Sequence, residues 1–302
     1  MSRGKILVIR GGAIGDFILT LPALAALRKQ FPQTRIEVLG YTHIASLATL
    51  AGYANDVKSI EAGPLAGFFA RHGTLNDALG EYFNTFNIIV SYLYDPDRIF
   101  QSNIAGVSKA QFIAGPHRPD ERESTHATEV FLKPLERLAI FGADPTPRIE
   151  LGEESATDLL AVHPGSGSEK KNSPEQRWIE FLTRVANETN WRALLVGGEA
   201  EHERVQRLSS LIPIQRLTVA IHQPLTELAR RIATCRAFVG HDSGVTHLAA
   251  AVGLRGVALW GEPNEQVWRP RSDRFEVLKP ASGVADLRAD DVFSRVASLM
   301  RE

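Results

Sequence analysis

The 302-residue chain holds a single cysteine, Cys235, so no disulfide can form within it. That cysteine lies in the apolar stretch ARRIATCRAFVG and is expected to be buried and inert. An excess of charge of one sign is also missing. The net charge is −1, and residues 1–150 carry 15 Lys and Arg against 15 Asp and Glu. Nucleic-acid binding calls for a basic face, so the composition gives no case for it; local basic spots for a phosphate or an anionic lipid remain open. No apolar run approaches the roughly 20 residues of a membrane-spanning helix. The opening MSRGKILVIRGG runs straight into a strand, and its apolar run is short and carries Arg10, unlike a signal peptide. The expected location is the cytoplasm, with peripheral contact at the inner membrane left open. Internal repeats, GxSxG, HExxH and the P-loop pattern GxxxxGK[ST] are absent.

What is present is an ordinary globular composition, 44% hydrophobic and 23% charged, in a chain long enough for two domains with real cores. Compact β-branched runs alternate with helical stripes. Strands are expected at Lys5–Arg10, Arg35–Gly40, 56–60, 87–92, 110–114, 158–162, 193–197, 237–240, 256–260 and Phe275–Leu278. Helices are expected between them, including one that Pro22 should kink and a long one over 127–141. Ser173–Pro174 reads as a helix start, serine as the cap and proline in the first turn. Residues 142–157 (GADPTPRIELGEESAT) break the pattern and read as a linker. Alternation of this kind predicts α/β domains with parallel sheets, residues 1–150 and 151–302.

Three turns follow strands and open helices: GGAIGD (11–16), HPGSG (163–167) and HDSG (241–244). Free amides at a helix start, with the positive end of the helix dipole behind them, make a site for phosphate. Ser243 and Gly244 offer such donors, with Thr246 and His247 in the first turn; Asp242 fits beside a diphosphate, accepting from sugar hydroxyls. In HPGSG, Gly165 and Gly167 free the backbone, Ser166 and Ser168 add hydroxyls, and Lys170 and Lys171 bring positive charge; a solvated surface loop is the plainer alternative. Asp16, just after Gly15, fits two roles equally, a helix cap or a catalytic group at the carboxyl end of a parallel strand. A dinucleotide fingerprint would need glycine where Arg10 stands, though Glu37 lies at a tolerable distance for a ribose acid. Glu199 and Glu201 in GGEAE read more readily as acids at a helix start than as ribose ligands. His163, His241, Asp242 and His247 match no helical metal motif, and no metal site is expected.

Together these segments resemble glycosyltransferase family 9, the ADP-heptose:lipopolysaccharide heptosyltransferases. ILVIRGGAIGDFILTLPALAALRKQFPQTRIEVLG is similar to that family's opening strand, GD step and TLPAL helix. HPGSG followed by KNSPEQRW is similar to its donor loop, GGEAE to its GGPxE, and FVGHDSGVTHLAAAVGLRGVALWGEPNEQVWRP to its DSGxxHLAAA segment. The resemblance spans most of the chain and keeps four motifs in order. It implies a GT-B architecture: two Rossmann-like domains facing across a cleft, acceptor bound by residues 1–150 and nucleotide sugar by 151–302. The last helix, about 289–301, is expected to pack back on the first domain.

The resemblance further implies inverting transfer from a nucleotide sugar to a lipid-linked oligosaccharide, without a metal or cofactor. Asp16 takes the role of catalytic base. Donor contacts fall on His163, Gly165, Ser166, Gly167, Lys171 with Lys170 in reserve, Glu201, Asp242, Ser243, Gly244 and His247. Arg10, Gly15 and Arg98 fall on the acceptor side. The sequence departs from the family at His241, often Asn, at Ser173, often Trp, at GEPNEQ in place of GPTDP, and at Ser91–Tyr92, where many members carry an acid. Two other classes stay in view, an NAD-linked oxidoreductase and a non-catalytic nucleotide-sugar binding protein.

Overall fold

The structure is a computed structural model that describes residues 4–152, 158–261 and 264–301, the Lys170 side chain excepted. The chain divides into two compact units, residues 1–147 and 148–302. In the first, β1 (Lys5–Arg10), α1 (Ile14–Ile18), α2 (Leu21–Gln30), β2 (Arg35–Gly40), α3 (Thr42–Leu50) and β3 (Asp56–Ser59) come in order. Then follow α4 (Asp77–Asn84), β4 (Ile88–Ser91), α5 (Ile99–Val107), β5 (Gln111–Ala114) and α6 (Ala127–Leu132). The five strands lie in the order β3-β2-β1-β4-β5, every pair parallel. Leu7, Ile9, Ile89, Phe83, Phe100 and Ile104 form one core beneath the sheet. A parallel sheet is covered on both faces, which is why the centre of β1, Ile6–Ile9, is apolar at every position instead of alternating.

The second unit holds β6 (Leu159–His163), α7 (Glu175–Glu188), β7 (Arg192–Gly197), α8 (His202–Ser209), β8 (Leu217–Ile221) and α9 (Leu225–Ala233). Next are β9 (Ala237–His241), α10 (Gly244–Ala251), β10 (Arg255–Leu259), α11 (Glu265–Trp268), β11 (Phe275–Leu278) and α12 (Ala289–Arg301). Its sheet runs β11-β10-β9-β6-β7-β8, again all parallel. Each sheet therefore reverses its winding once, between β1 and β4 in the first unit and between β6 and β9 in the second. Crevices outside the carboxyl ends of strands open at such reversals.

Several expectations need correction. The first helix is not kinked but broken: α1 stops at Ile18 and α2 restarts at Leu21, with Pro22 in its first turn. Proline lacks an N–H and crowds the carbonyl four residues back, here that of Ile18. The long helix over 127–141 ends as α6 at Leu132, because Pro134 turns the chain into a 3₁₀ segment, Lys133–Leu138, closed by Ala139 at φ 56°. Ser173 does not cap α7; Pro174 holds that position. Strand β8 and the short α11 were not anticipated. The linker residues 153–157 and Glu262–Pro263 of the GEPNEQ loop lie outside the described residues.

The terminal helix is α12, Ala289–Arg301. It packs on α7, β9 and β10 of its own unit. Phe293 stacks on Trp191 with centroids 5.8 Å apart, meets Phe181 at 6.3 Å, and lies under the Arg184 guanidinium at 4.0 Å. All four tryptophans (178, 191, 260 and 268) belong to the second unit, so tryptophan fluorescence follows its unfolding alone. Phe293→Ala opens a cavity in this core and should cost about 3–5 kcal/mol. Urea unfolding followed by tryptophan emission should show that loss.

Candidate functional site

The reversal point of the second sheet gathers most of the residues singled out from sequence. His163 ends β6 in register with Gly240, and His241 ends β9 one residue further on. Ser243 caps α10: its Oγ accepts from the Thr246 N–H and lies 3.2 Å from His163 Nδ1. The Thr246 hydroxyl donates to the His241 carbonyl, locking the turn from strand to helix. Among the described residues, the amides of Gly244 and Val245 have no partner, as the first amides of a helix lack one by geometry. His247 is buried in the first turn, its amide bonded to the Ser243 carbonyl.

Lys171 stands over this helix start. Its Nζ donates to Asp242 Oδ2 at 2.6 Å; the lysine side chain is 38% exposed and the aspartate 8%. An ammonium on a flexible stem is thus held at the edge of an anion-favouring helix end, free to turn toward a ligand. The Lys170 side chain lies outside the described residues.

Glu201 stands at the start of α8, as an acid of a helix start. It is buried, and its two oxygens accept from the Gly167 and Gly198 amides, each at 2.9 Å. Its carboxylate thereby ties HPGSG to the GGEAE turn. Gly165 is required by contact, since a Cβ there would meet Glu201 Cγ at 2.1 Å. Gly167 is required by conformation, at φ 69°. The Ser166 hydroxyl shares its one proton between Asn172 Oδ1 at 2.7 Å and the Ser168 carbonyl at 3.0 Å, closing the same loop.

Three further residues brace the loop and were missed from sequence. Arg204 donates to the Pro164 carbonyl at 3.2 Å and to both oxygens of Glu169 at 3.0 Å. The Ser173 amide donates to His241 Nε2 at 2.8 Å, and the Trp178 ring meets the His241 ring edge-on. Because Nε2 accepts, the proton is assigned to Nδ1 and His241 is neutral. Burial pushes the His241 imidazole down to about 3 and that of His163 to about 4, the nearby Glu201 charge opposing the latter. The only clue in the sequence was His241 itself, standing where the family often has Asn.

The first unit places Arg10, Gly15 and Asp16 together at the end of β1. Asp16 is 28% exposed at its side chain; it is not the N-cap of α1, a position Ala13 holds, but lies in the first turn, where its Oδ2 accepts from the Ala13 amide at 3.2 Å. Gly12, at φ 102°, makes the turn that carries it. Arg10 is only 2% exposed at its side chain and points inward, so it offers no surface to an acceptor. Arg98 is exposed at the start of α5, at φ 54°, and pairs with none of the described residues. Glu37 does not serve as a ribose acid. It sits mid-strand in β2, bonded by Arg35 at 2.8 Å and by the Tyr82 hydroxyl at 3.2 Å. Among the described residues, no group of three or more His, Cys, Asp or Glu is placed to hold a metal ion. No helix among them is long and apolar enough to cross a membrane.

The depressed histidines set a pH dependence. An unfolded imidazole takes a proton near pH 6.5, whereas His163 and His241 resist it when folded. Acid therefore favours the unfolded chain, and stability falls as pH drops from about 6.5 toward 4. Between pH 6.5 and 5 the loss should be about 2 kcal/mol per histidine. Tryptophan-monitored denaturation at both pH values should show it, and His241→Asn should make the slope shallower.

Comparison with known proteins agrees with this arrangement. Residues 141–295, just over half of the chain, match the family model described as glycosyltransferase family 9 (heptosyltransferase). Lipopolysaccharide heptosyltransferase 2 of Escherichia coli is 21% identical over 95% of this chain and 91% of its own length. A family 9 glycosyltransferase structure from Veillonella parvula superposes with a TM-score of 0.79 at 19% identity, covering 99% of this chain and 97% of that one. The E. coli heptosyltransferase WaaC with ADP-2-deoxy-2-fluoro heptose gives 0.73 at 16% identity, over 97% and 99%. The two parallel-sheet α/β units have the fold of these GT-B enzymes. The chain is a glycosyltransferase and belongs to family 9, the heptosyltransferase family.

Proposed function

We propose that this enzyme transfers a heptose from ADP-heptose to a hydroxyl of a lipopolysaccharide-core acceptor, with inversion at the anomeric carbon and Asp16 as general base. The observation that carries this reading is the second unit's reversal point. There the unpartnered amides of Gly244 and Val245, the Ser243 hydroxyl and the Lys171 ammonium converge on one helix start. Those groups suit a diphosphate leaving group. Relatives named as lipopolysaccharide heptosyltransferases, and a solved one holding an ADP-heptose analogue, supply the sugar and the acceptor class.

In the reaction, the acceptor oxygen attacks the anomeric carbon from the face opposite the diphosphate. Its proton passes to the Asp16 carboxylate. The bond from the anomeric carbon to the phosphate oxygen breaks, and its electron pair leaves with ADP. Lys171 and the helix amides stabilise the charge that gathers on that oxygen. Asp242, beside the diphosphate, orients Lys171 and accepts from hydroxyls of the donor. Glu201 shapes the donor loop through its two amide bonds, and His163 supports Ser243. Arg98, exposed and unpaired, fits the acceptor side. Work on a lipid-linked acceptor would place the enzyme at the cytoplasmic face of the inner membrane.

Asp16→Asn should lower turnover by about 10²–10⁴-fold and leave ADP-heptose binding intact. Lys171→Ala should weaken both. Turnover is read as ADP release and binding as ligand-induced thermal stabilisation. In that second assay, ADP and ADP-heptose should shift the melting temperature more than UDP, GDP or NADH. A shift with UDP or GDP alone would replace the donor, and a shift with NADH alone would sink the transferase reading. Wild-type turnover by Asp16→Asn would remove the base assignment.

A further inference from the structure

Arg10 is a cation almost wholly withdrawn from solvent and, by its burial, from any substrate. It ends β1 directly before the glycine turn, with 2% of its side chain exposed. Its guanidinium collects main-chain carbonyls from three separate segments. Nη2 donates to the Asp16 carbonyl at 3.2 Å, and Nη1 to the His117 carbonyl at 2.7 Å and the Tyr92 carbonyl at 3.4 Å. The Phe131 ring lies under it, 4.5 Å from Cζ, and Nε is buried without a partner. Burial lowers its pKa, yet an arginine keeps its charge at neutral pH. A buried guanidinium held largely by carbonyls is a costly way to close a loop, so its placement calls for a reason. Nη2 also lies 3.9 Å from Asp16 Oδ1, while Oδ2 is held by the Ala13 amide.

We propose that Arg10 is a positioning residue for Asp16: its guanidinium fixes the turn that carries the carboxylate and holds one of its oxygens in place from behind, leaving the exposed part of Asp16 to the acceptor. The proposal rests on the reading of Asp16 as the base. Only a planar fork with several donors bonds three carbonyls at once while keeping its charge within ion-pair distance, 3.9 Å, of a carboxylate oxygen. Lysine in its place keeps the charge and makes fewer of these bonds; methionine keeps the bulk and makes none.

The test is a double-mutant cycle on kcat, measured as ADP release from ADP-heptose with a lipid-A–core oligosaccharide as acceptor. Arg10→Met should lower kcat by about 10–10²-fold through misplacement of the carboxylate, with the KM for ADP-heptose within about twofold of wild type. Arg10→Lys should recover part of that loss. In the Asp16→Asn background, Arg10→Met should change kcat by less than about threefold, since the group it positions is gone. An equal loss with and without Asp16, or wild-type kcat in Arg10→Met while Asp16→Asn collapses, overturns the role of Arg10 and leaves the base reading standing. Wild-type kcat in Asp16→Asn overturns both. A readout free of turnover is amide hydrogen exchange. Exchange over residues 11–20 should quicken in Arg10→Met, with the tryptophan-monitored unfolding of the second unit unchanged; unaltered exchange there overturns the proposal.

Discussion

Every strand in both sheets runs parallel, and that one constraint decides where the chemistry lies. Parallel strands deliver all their carboxyl ends, and the helix starts that follow them, to a single edge of each sheet. At the reversal points the following helices diverge to opposite faces, leaving a crevice floored by main-chain amides. The glycines of the three turns are consequences of this. They let the backbone bend sharply at that edge, as Gly12 and Gly167 do with positive φ, or accept a close neighbour, as Gly165 does beside Glu201.

The two units brace their turns by the same physical device with opposite sign. In the first, a buried cation, Arg10, binds the carbonyls of three segments. In the second, a buried anion, Glu201, binds the amides of two glycine turns. Such bonds to a full charge are stronger than neutral ones, and they satisfy the buried ion without a second buried ion. Near Glu201, the imidazole of His163 stays neutral because burial outweighs the carboxylate, and that of His241 stays neutral because burial, with His163 and Arg204 beside it, disfavours its charge. Asp16 and Lys171, near each edge, remain partly open to solvent.

Much of the fold was legible because its signals are local. Runs such as ILVI in β1 and ALLVG in β7 are apolar for four or five residues and followed by glycine turns, and the structure makes each a strand. What failed was also local where proline intervened, since a stripe of apolar residues cannot show that Pro22 and Pro134 stop a helix rather than bend it. Strand β8 escaped notice because Thr218 and Val219 face solvent at the sheet edge, so LTVAI carries no buried run. The site's chemical groups were legible as motif residues, but not their tasks. Glu201 braces a loop 34 residues away, Ser173 bonds to a histidine 68 residues away, and Arg204 donates to a carbonyl 40 residues away. Pairings at such separations leave no pattern in one sequence.

The most direct measurement is mass spectrometry of a lipid-A–core oligosaccharide incubated with ADP-heptose and this enzyme, with NMR of the product's anomeric centre. The account predicts a product heavier by one heptose residue, formed in step with ADP, and with the anomeric configuration opposite to that of the donor. An unchanged oligosaccharide would contradict the acceptor and the transfer; a product that retained the donor's configuration would contradict direct attack by a hydroxyl deprotonated by Asp16.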